Sequence, residues 1–98
     1  MSNENLVTIN SKIVRDPEII FHAMDDETVM MSLEKGEYYC LPPIGTQIWQ
    51  ILETPRQVSE LCDLLVSDFD VTREQCEKDV LFFLNQMAEK EIVKLVNS

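Results

Sequence analysis

The chain has 98 residues, 45% of them apolar, which is material for one small core; a single domain over 1–98 is expected. Eighteen acids against eight bases leave a net charge of −10, so the clustered Lys and Arg that phosphate binding requires are missing. That argues against DNA or RNA as partner and favours basic partners. No run approaches the ~20 apolar residues of a membrane span, and Met1–Asn5 lacks the basic-then-apolar pattern of a secretion signal. A cytoplasmic protein without membrane contact is the expectation.

In chain order, residues 1–8 are expected to be disordered. An earlier strand or extended arm around Val7–Val14 stays open, ending at Asp16-Pro17. Ile19–Met24 is a short apolar run closed by the turn signal Asp25-Asp26. Thr28–Leu33 is a second run, closed by Glu34-Lys35-Gly36, and Glu37–Leu41 a third, stopped by Pro42-Pro43. Turns this short predict an antiparallel meander. Pro43 suits a first helical position; the helix it opens has Ile44, Ile48, Ile51 and Leu52 on one face and Trp49 at its edge. Thr54-Pro55 breaks that helix, and Thr54-x-x-Gln57 reads as the capping box of a second, with Val58, Leu61, Cys62 and Leu65 as its core stripe. Thr72-x-x-Gln75 is another capping box, opening a long third helix over 72–91 with the stripe Cys76, Val80, Phe83, Leu84 and Met87. Ile92–Val96 fits a helix tail or a strand. The fold class is therefore α+β, a three-stranded antiparallel sheet followed by three helices, related to a winged helix-turn-helix with the wing in front.

Catalytic chemistry has little to stand on. A nucleophile needs a base held by a third group, and the single histidine, His22, lies in an apolar strand where a partly buried structural role is expected. Cys40, Cys62 and Cys76 are far apart, form no Cys-x-x-Cys pair, and read as reduced, mostly buried thiols. Asp25-Asp26-Glu27 lacks the spacing and glycine of a calcium loop and reads as a solvated turn. Gly36 and Gly45 are isolated, so no loop cradles a phosphate. The chain is expected to be no enzyme, with no metal and no cofactor.

Two surfaces are more telling. Alternation along the third strand puts Tyr39 and Leu41 on one face, Tyr38 and Cys40 on the other. Since Leu41 leads into the helical core, Tyr39 points inward and Tyr38 outward. On the third helix, at ~100° per residue, Phe82 falls almost opposite the core stripe, beside Gln75, Asp79 and Gln86. A strand edge beside this helix would form a groove in which an extended peptide pairs its backbone with Glu37–Leu41 and sets side chains against Phe82 or Phe83.

These residues resemble the PqqD-like family, the recognition elements for ribosomally made, modified peptides, and look most like the small stand-alone members of lasso-peptide systems. The resemblance spans Asp25 to Val93. It rests on Val29-Met30-Met31, Gly36, Tyr38-Tyr39-x-Leu41 and Ile48-Trp49, then Phe69-Asp70-Val71, Asp79-Val80-x-x-Phe83-Leu84 and Met87. It implies binding of a precursor's leader segment as a strand added to the third β-strand against the third helix. Delivery to a processing enzyme follows; in lasso systems this is a leader peptidase similar to cysteine proteases, which works with an ATP-dependent cyclase. Carried over position by position, the implied contacts are Glu37, Tyr38, Tyr39, Cys40 and Leu41 on the strand and Lys78, Asp79, Phe82, Phe83 and Gln86 on the helix. Ser32 stands where many relatives have Asp, and Pro42 where Asn is common; neither is expected to touch the groove, and Pro42 should end the added strand's pairing.

Three readings compete with the lasso-type element. A PqqD-like chaperone for a radical SAM enzyme uses the same groove with different company. A winged-helix DNA-binding regulator is opposed by charge. A structural subunit would use the exposed strand to dimerise, whereas the recognition element is expected to be a monomer, with a dimer left open.

Overall fold

The computed structural model describes residues 6–25, 27–68 and 70–96. Along the chain lie β1 (Lys12–Arg15), β2 (Ile19–Met24), β3 (Glu27–Ser32), β4 (Glu37–Leu41), α1 (Pro43–Ile51), β5 (Arg56–Gln57), α2 (Val58–Asp68), α3 (Arg73–Glu89) and β6 (Val93–Val96). The expected meander is β2–β3–β4, antiparallel throughout. Its two turns use left-handed residues: Asp25 at φ 58°, which an Asp tolerates, and Gly36 at φ 65°. Ser32 closes the second turn, its carbonyl accepting from the Gly36 N–H at 2.7 Å and its hydroxyl from the Lys35 N–H at 3.2 Å. An Asp at that position would accept the same bond, so the departure from the family pattern leaves the turn chemistry intact.

A second sheet corrects the expected single one. β1 is its middle strand, flanked antiparallel by β5 and β6, with Ile13 opposite Arg56 and Leu95. The arm foreseen around Val7–Val14 is thus a strand only from Lys12, and the undecided segment Ile92–Val96 is a strand from Val93. The N-terminal arm is held where fraying was expected: Val7 is buried, and its N–H donates to Asn85 Oδ1 on α3 at 2.9 Å. Residues 1–5, expected to be disordered with it, lie outside the described residues.

The second helix does not start with Thr54 as its cap. Arg56–Gln57 is drawn into pairing with β1, and the first helical N–H groups are satisfied from elsewhere. Val58 donates to the Ser11 carbonyl at 2.9 Å, Ser59 to that of Ile9 at 3.1 Å, and the Gln57 N–H to Glu60 Oε1 at 3.2 Å. Thr72, by contrast, caps α3 as its spacing implies, its hydroxyl accepting from the Gln75 N–H at 3.2 Å.

The core gathers between the sheets and helices. Val58, Leu61, Cys62 and Leu65 are buried as read, as are Cys76, Val80, Leu84 and Met87, while Phe83 is half-buried at the margin. Trp49 is no edge residue; at 1% exposure it is one of the largest core side chains, and Ile44, assigned to the inner face, is exposed instead. Arg15 covers Trp49. Its guanidinium donates to the Trp49 carbonyl, Nε at 2.9 Å, and lies 4.5 Å from the Trp49 ring and 4.9 Å from that of Phe21. Phe21 meets Trp49 edge-on, the centroids 5.4 Å apart. One cation and two rings thereby tie β1, β2 and α1 together. His22, expected to be partly buried, is exposed, because alternation along β2 sets it on the same outer sheet face as Ile20 and Met24.

Candidate peptide-binding groove

β4 begins where Gly36 reverses the chain and ends at Pro42, the residue before α1. It pairs with β3 alone, Tyr38 opposite Met31 and Cys40 opposite Val29, so its outer edge has no strand beside it among the described residues. Leu41 is buried, Tyr39 half-buried, and Tyr38 is 74% exposed.

α3 runs past this edge and is held at both ends. Near its start, Arg73 donates through Nε to Glu77 Oε2 at 2.7 Å and pairs with Asp63 on α2. At its end Glu91 takes the left-handed conformation, φ 63°, so that the Ile92 N–H returns to the Met87 carbonyl at 2.8 Å and the chain turns into β6. Gly45 on α1 sets the spacing between helix and strand. A Cβ there would stand 3.1 Å from Phe83 Cζ and 3.3 Å from Leu41 Cβ.

The result is a groove of about 510 Å³ with β4 on one wall and α3 on the other. Tyr38, Tyr39, Cys40, Leu41 and Pro42 face Phe83, Gln86, Met87, Lys90 and Ile92 across it. Of the ten residues singled out in the sequence, it unites Tyr38, Tyr39, Cys40 and Leu41 with Phe83 and Gln86. Asp79 and Phe82 instead line an adjoining apolar pocket of about 350 Å³, with Ile44, Ile48, Leu65 and Val71 among its walls; Phe83 belongs to both. Phe82 is 67% exposed. Lys78 lines neither, and Glu37 acts from the rim. Pro42, expected to stay clear of the groove, is part of it.

Sequence reasoning missed Met87, Lys90 and Ile92 as wall residues. Phe83, Met87 and Lys90 are spaced four and three apart on one helical face, and that spacing was the available signal. Lys90 stands 5.7 Å from the centre of the Tyr39 ring, leaving its charge at the end of the groove. The Tyr39 hydroxyl donates to Glu37 Oε1 at 2.7 Å, and this bond, then desolvation and the carboxylate's charge, raises the phenol above its ordinary value. The groove is therefore apolar at its centre, with one acid, one base and a hydrogen-bonded phenol at one end.

Nothing in this arrangement activates a nucleophile. Cys40 is exposed; Cys62 and Cys76 are buried, and burial, the largest cause, pushes Cys62 up to about 12 and Cys76 in the same direction. No group of three His, Cys, Asp or Glu among the described residues could hold a metal ion. A larger depression of about 760 Å³ between Thr8, Lys12, Gln57 and Val96 lies away from the β4 edge, and its walls are mainly polar.

Residues 27–93 match the family described as coenzyme PQQ synthesis protein D, PqqD. The chain belongs to this family. The match covers β3 through the start of β6, so both walls of the groove fall inside it. A solved structure, "TbiB1 in complex with the TbiA(beta) leader peptide", superposes with a TM-score of 0.80 at 28% identity, covering 87% of this chain and 99% of that one. No curated protein is significantly similar in sequence. As a PqqD-like protein the chain is not an enzyme. No helix among the described residues is long and apolar enough to cross a membrane.

Proposed function

We propose that this chain binds the leader segment of a ribosomally made precursor peptide, by addition of the leader as a strand on β4 against α3. The observation that carries the reading is the unpaired edge of β4 facing α3 across an apolar groove. Family membership and the likeness to a protein whose structure is described with a leader peptide support it. In this arrangement the peptide becomes a fourth strand beside β2–β3–β4, with Glu37 to Leu41 supplying the backbone and Phe83 and Gln86 the opposite wall. Strand addition over five residues adds roughly four to six backbone hydrogen bonds, each worth ~0.5–1.5 kcal/mol net. An apolar leader side chain in the pocket of Phe82 and Asp79 adds to this, and micromolar to nanomolar affinity follows. Lys78, outside both cavities, contributes only charge.

The chain then presents the leader, in the cytoplasm, to the leader peptidase of a lasso-type pathway. A radical SAM enzyme as recipient is the second reading, favoured by the family's description as a coenzyme synthesis protein. The neighbouring genes separate them. The winged-helix regulator is not supported, because Arg73 and Lys78 at the start of α3 stand among Glu74, Glu77 and Asp79.

The test is a titration of labelled leader peptide, taken from the precursor gene beside this one, followed by anisotropy. Saturable binding is expected, and it should be lost on replacing the leader's central apolar residues. No binding at ~100 µM would overturn the reading.

A further inference from the structure

The chain has eight basic residues, and most are engaged within the fold. Arg15 and Arg56 donate to the carbonyls of Trp49 and Ile51, and Lys35, Arg73 and Lys94 pair with carboxylates. Lys12 lies in the polar depression beside Thr8 and Gln57, and Lys78 lines neither peptide cavity. Lys90 differs from all of these: it is exposed, it lines the groove, and no other residue of that lining is charged. It has no ion-pair partner among the described residues, and the local sequence explains why. Gln86 stands one turn back, at the position from which an acid would neutralise it. Glu89 is one position away and does not face it, and Glu91 turns to Lys35. Glu37, the acid on β4, is engaged by the Tyr39 hydroxyl, while the Tyr39 ring lies 5.7 Å from the Lys90 ammonium. One phenol thus holds the acid at its hydroxyl and the base over its ring, without letting them pair.

We propose that Lys90 receives an aspartate or glutamate side chain of the leader and so fixes the register in which the peptide adds to β4. The inference rests on the leader-binding reading and deepens it. Backbone pairing alone is blind to sequence, and a slip of two residues returns the same side chains to the same face. A charge at one end of an apolar groove removes that freedom. A peptide laid over the groove strips water from the ammonium, and a leader carboxylate offsets the loss. Elsewhere on a chain of net charge −10 an acidic peptide is repelled, so one register is favoured twice over. The apolar pocket at Phe82 marks the other end of the site. Phe82 and Lys90 are eight positions apart along α3 and its cap, about 12 Å, which an extended peptide spans in about four residues. An even spacing keeps both side chains on the α3 side. The leader should therefore carry its acid about four residues from its apolar anchor.

The experiment uses the full chain and labelled leader peptide from the neighbouring precursor gene, followed by anisotropy. Lys90→Met keeps the stem without the charge and should lower leader affinity about three- to fivefold; Lys90→Glu should lower it about tenfold or more. Lys90→Arg should stay within about twofold. Thermal melts of all three should lie within ~4 °C of wild type, because the side chain is exposed. Each leader Asp or Glu is then changed to its amide in turn. One of them, about four residues from the apolar position whose replacement weakens binding most, should reproduce the Lys90→Met loss and add nothing to it in combination. A leader with Lys at that position should bind Lys90→Glu more tightly than wild type. Affinity of Lys90→Glu within about twofold of wild type overturns the assignment, as does a leader in which no acid couples to Lys90. Either result, with wild type still binding, leaves the leader reading standing. Failure of wild type to bind strikes the leader reading itself, and this inference with it.

Discussion

Gly45→Ala probes the link between the helical core and the groove. The added methyl would stand 3.1 and 3.2 Å from two atoms of the Phe83 ring and 3.3 Å from Leu41 Cβ, so a neighbour must retreat by a few tenths of an ångström. Leu41 Cβ is fixed to a paired strand. Phe83 is half-buried with the groove on its free side, so the ring is the part that yields, and it yields into the space a peptide would occupy. Alanine in a helix gains ~0.5–1 kcal/mol over glycine, about the size of the cost of tilting a ring off its rotamer, ~0.5–1.5 kcal/mol. Stability should therefore change by less than about 1 kcal/mol, a shift in Tm of under ~8 °C. Leader affinity should fall about three- to tenfold, since ~0.7–1.4 kcal/mol of contact is displaced. Thermal melts by circular dichroism and leader anisotropy read the two effects separately. Unchanged affinity would refute the argument that Phe83 touches the peptide, and a Tm loss beyond ~15 °C would refute the argument that the ring is free to give.

Three further outcomes follow from single residues. Glu91→Gly relieves a left-handed strain of ~1–2 kcal/mol, partly offset by glycine's freedom in the unfolded chain, and breaks only the exposed 3.8 Å pair with Lys35; Tm should rise about 2–4 °C. Cys62 binds its proton more tightly folded than unfolded, so its contribution is full below the ordinary thiol value of 9.0 and is lost as pH rises from there towards about 12. Urea midpoints across that range should fall, and iodoacetamide at pH 8 should modify exposed Cys40 first, with Cys62 and Cys76 protected until unfolding. Glu37→Gln removes the carboxylate that holds the Tyr39 proton, so ultraviolet titration should find that phenol ionising at lower pH than in wild type.

Where local chemistry punctuates the chain, the fold was legible. Gly36 and Asp25 turn the meander, Pro42-Pro43 stop it, and Thr72 caps α3, each acting on residues within four positions. The second sheet had no such signal. β5 is two residues long, and its pairing of Gln57 with Lys12 joins segments 45 positions apart. Its formation also overrode Thr54-x-x-Gln57, a sound capping pattern whose donors found backbone carbonyls of residues 9–11 instead. Trp49 was misplaced for a related reason, since a helical wheel does not know that Arg15 and Phe21 will cover its far side. Of the candidate site, the strand wall and Phe83 were readable because alternation and helical spacing are local. The split of Phe82 and Asp79 into a second pocket depends on where α1 and α2 pack, which neither pattern encodes.

The open sheet raises a physical problem of its own. Among the described residues β2 and β4 are both edges, and neither carries the Lys or Pro with which edge strands are usually blunted. Residues Ile20, Met24 and Tyr38 make the same region sticky. The protection available is charge, net −10 spread over a small chain. Near pH 4 the carboxylates protonate and the repulsion fades, and at about 0.5 M salt near neutral pH it is screened without any protonation. Mass by light scattering should rise with concentration under both conditions and stay monomeric at neutral pH and low salt. Leader peptide separates the two edges. If copies join through β4, saturating peptide should restore the monomer at high salt; if they join through β2 and the outer face, it should have no effect. A monomer at high salt and high concentration would show that charge is not what keeps these edges apart.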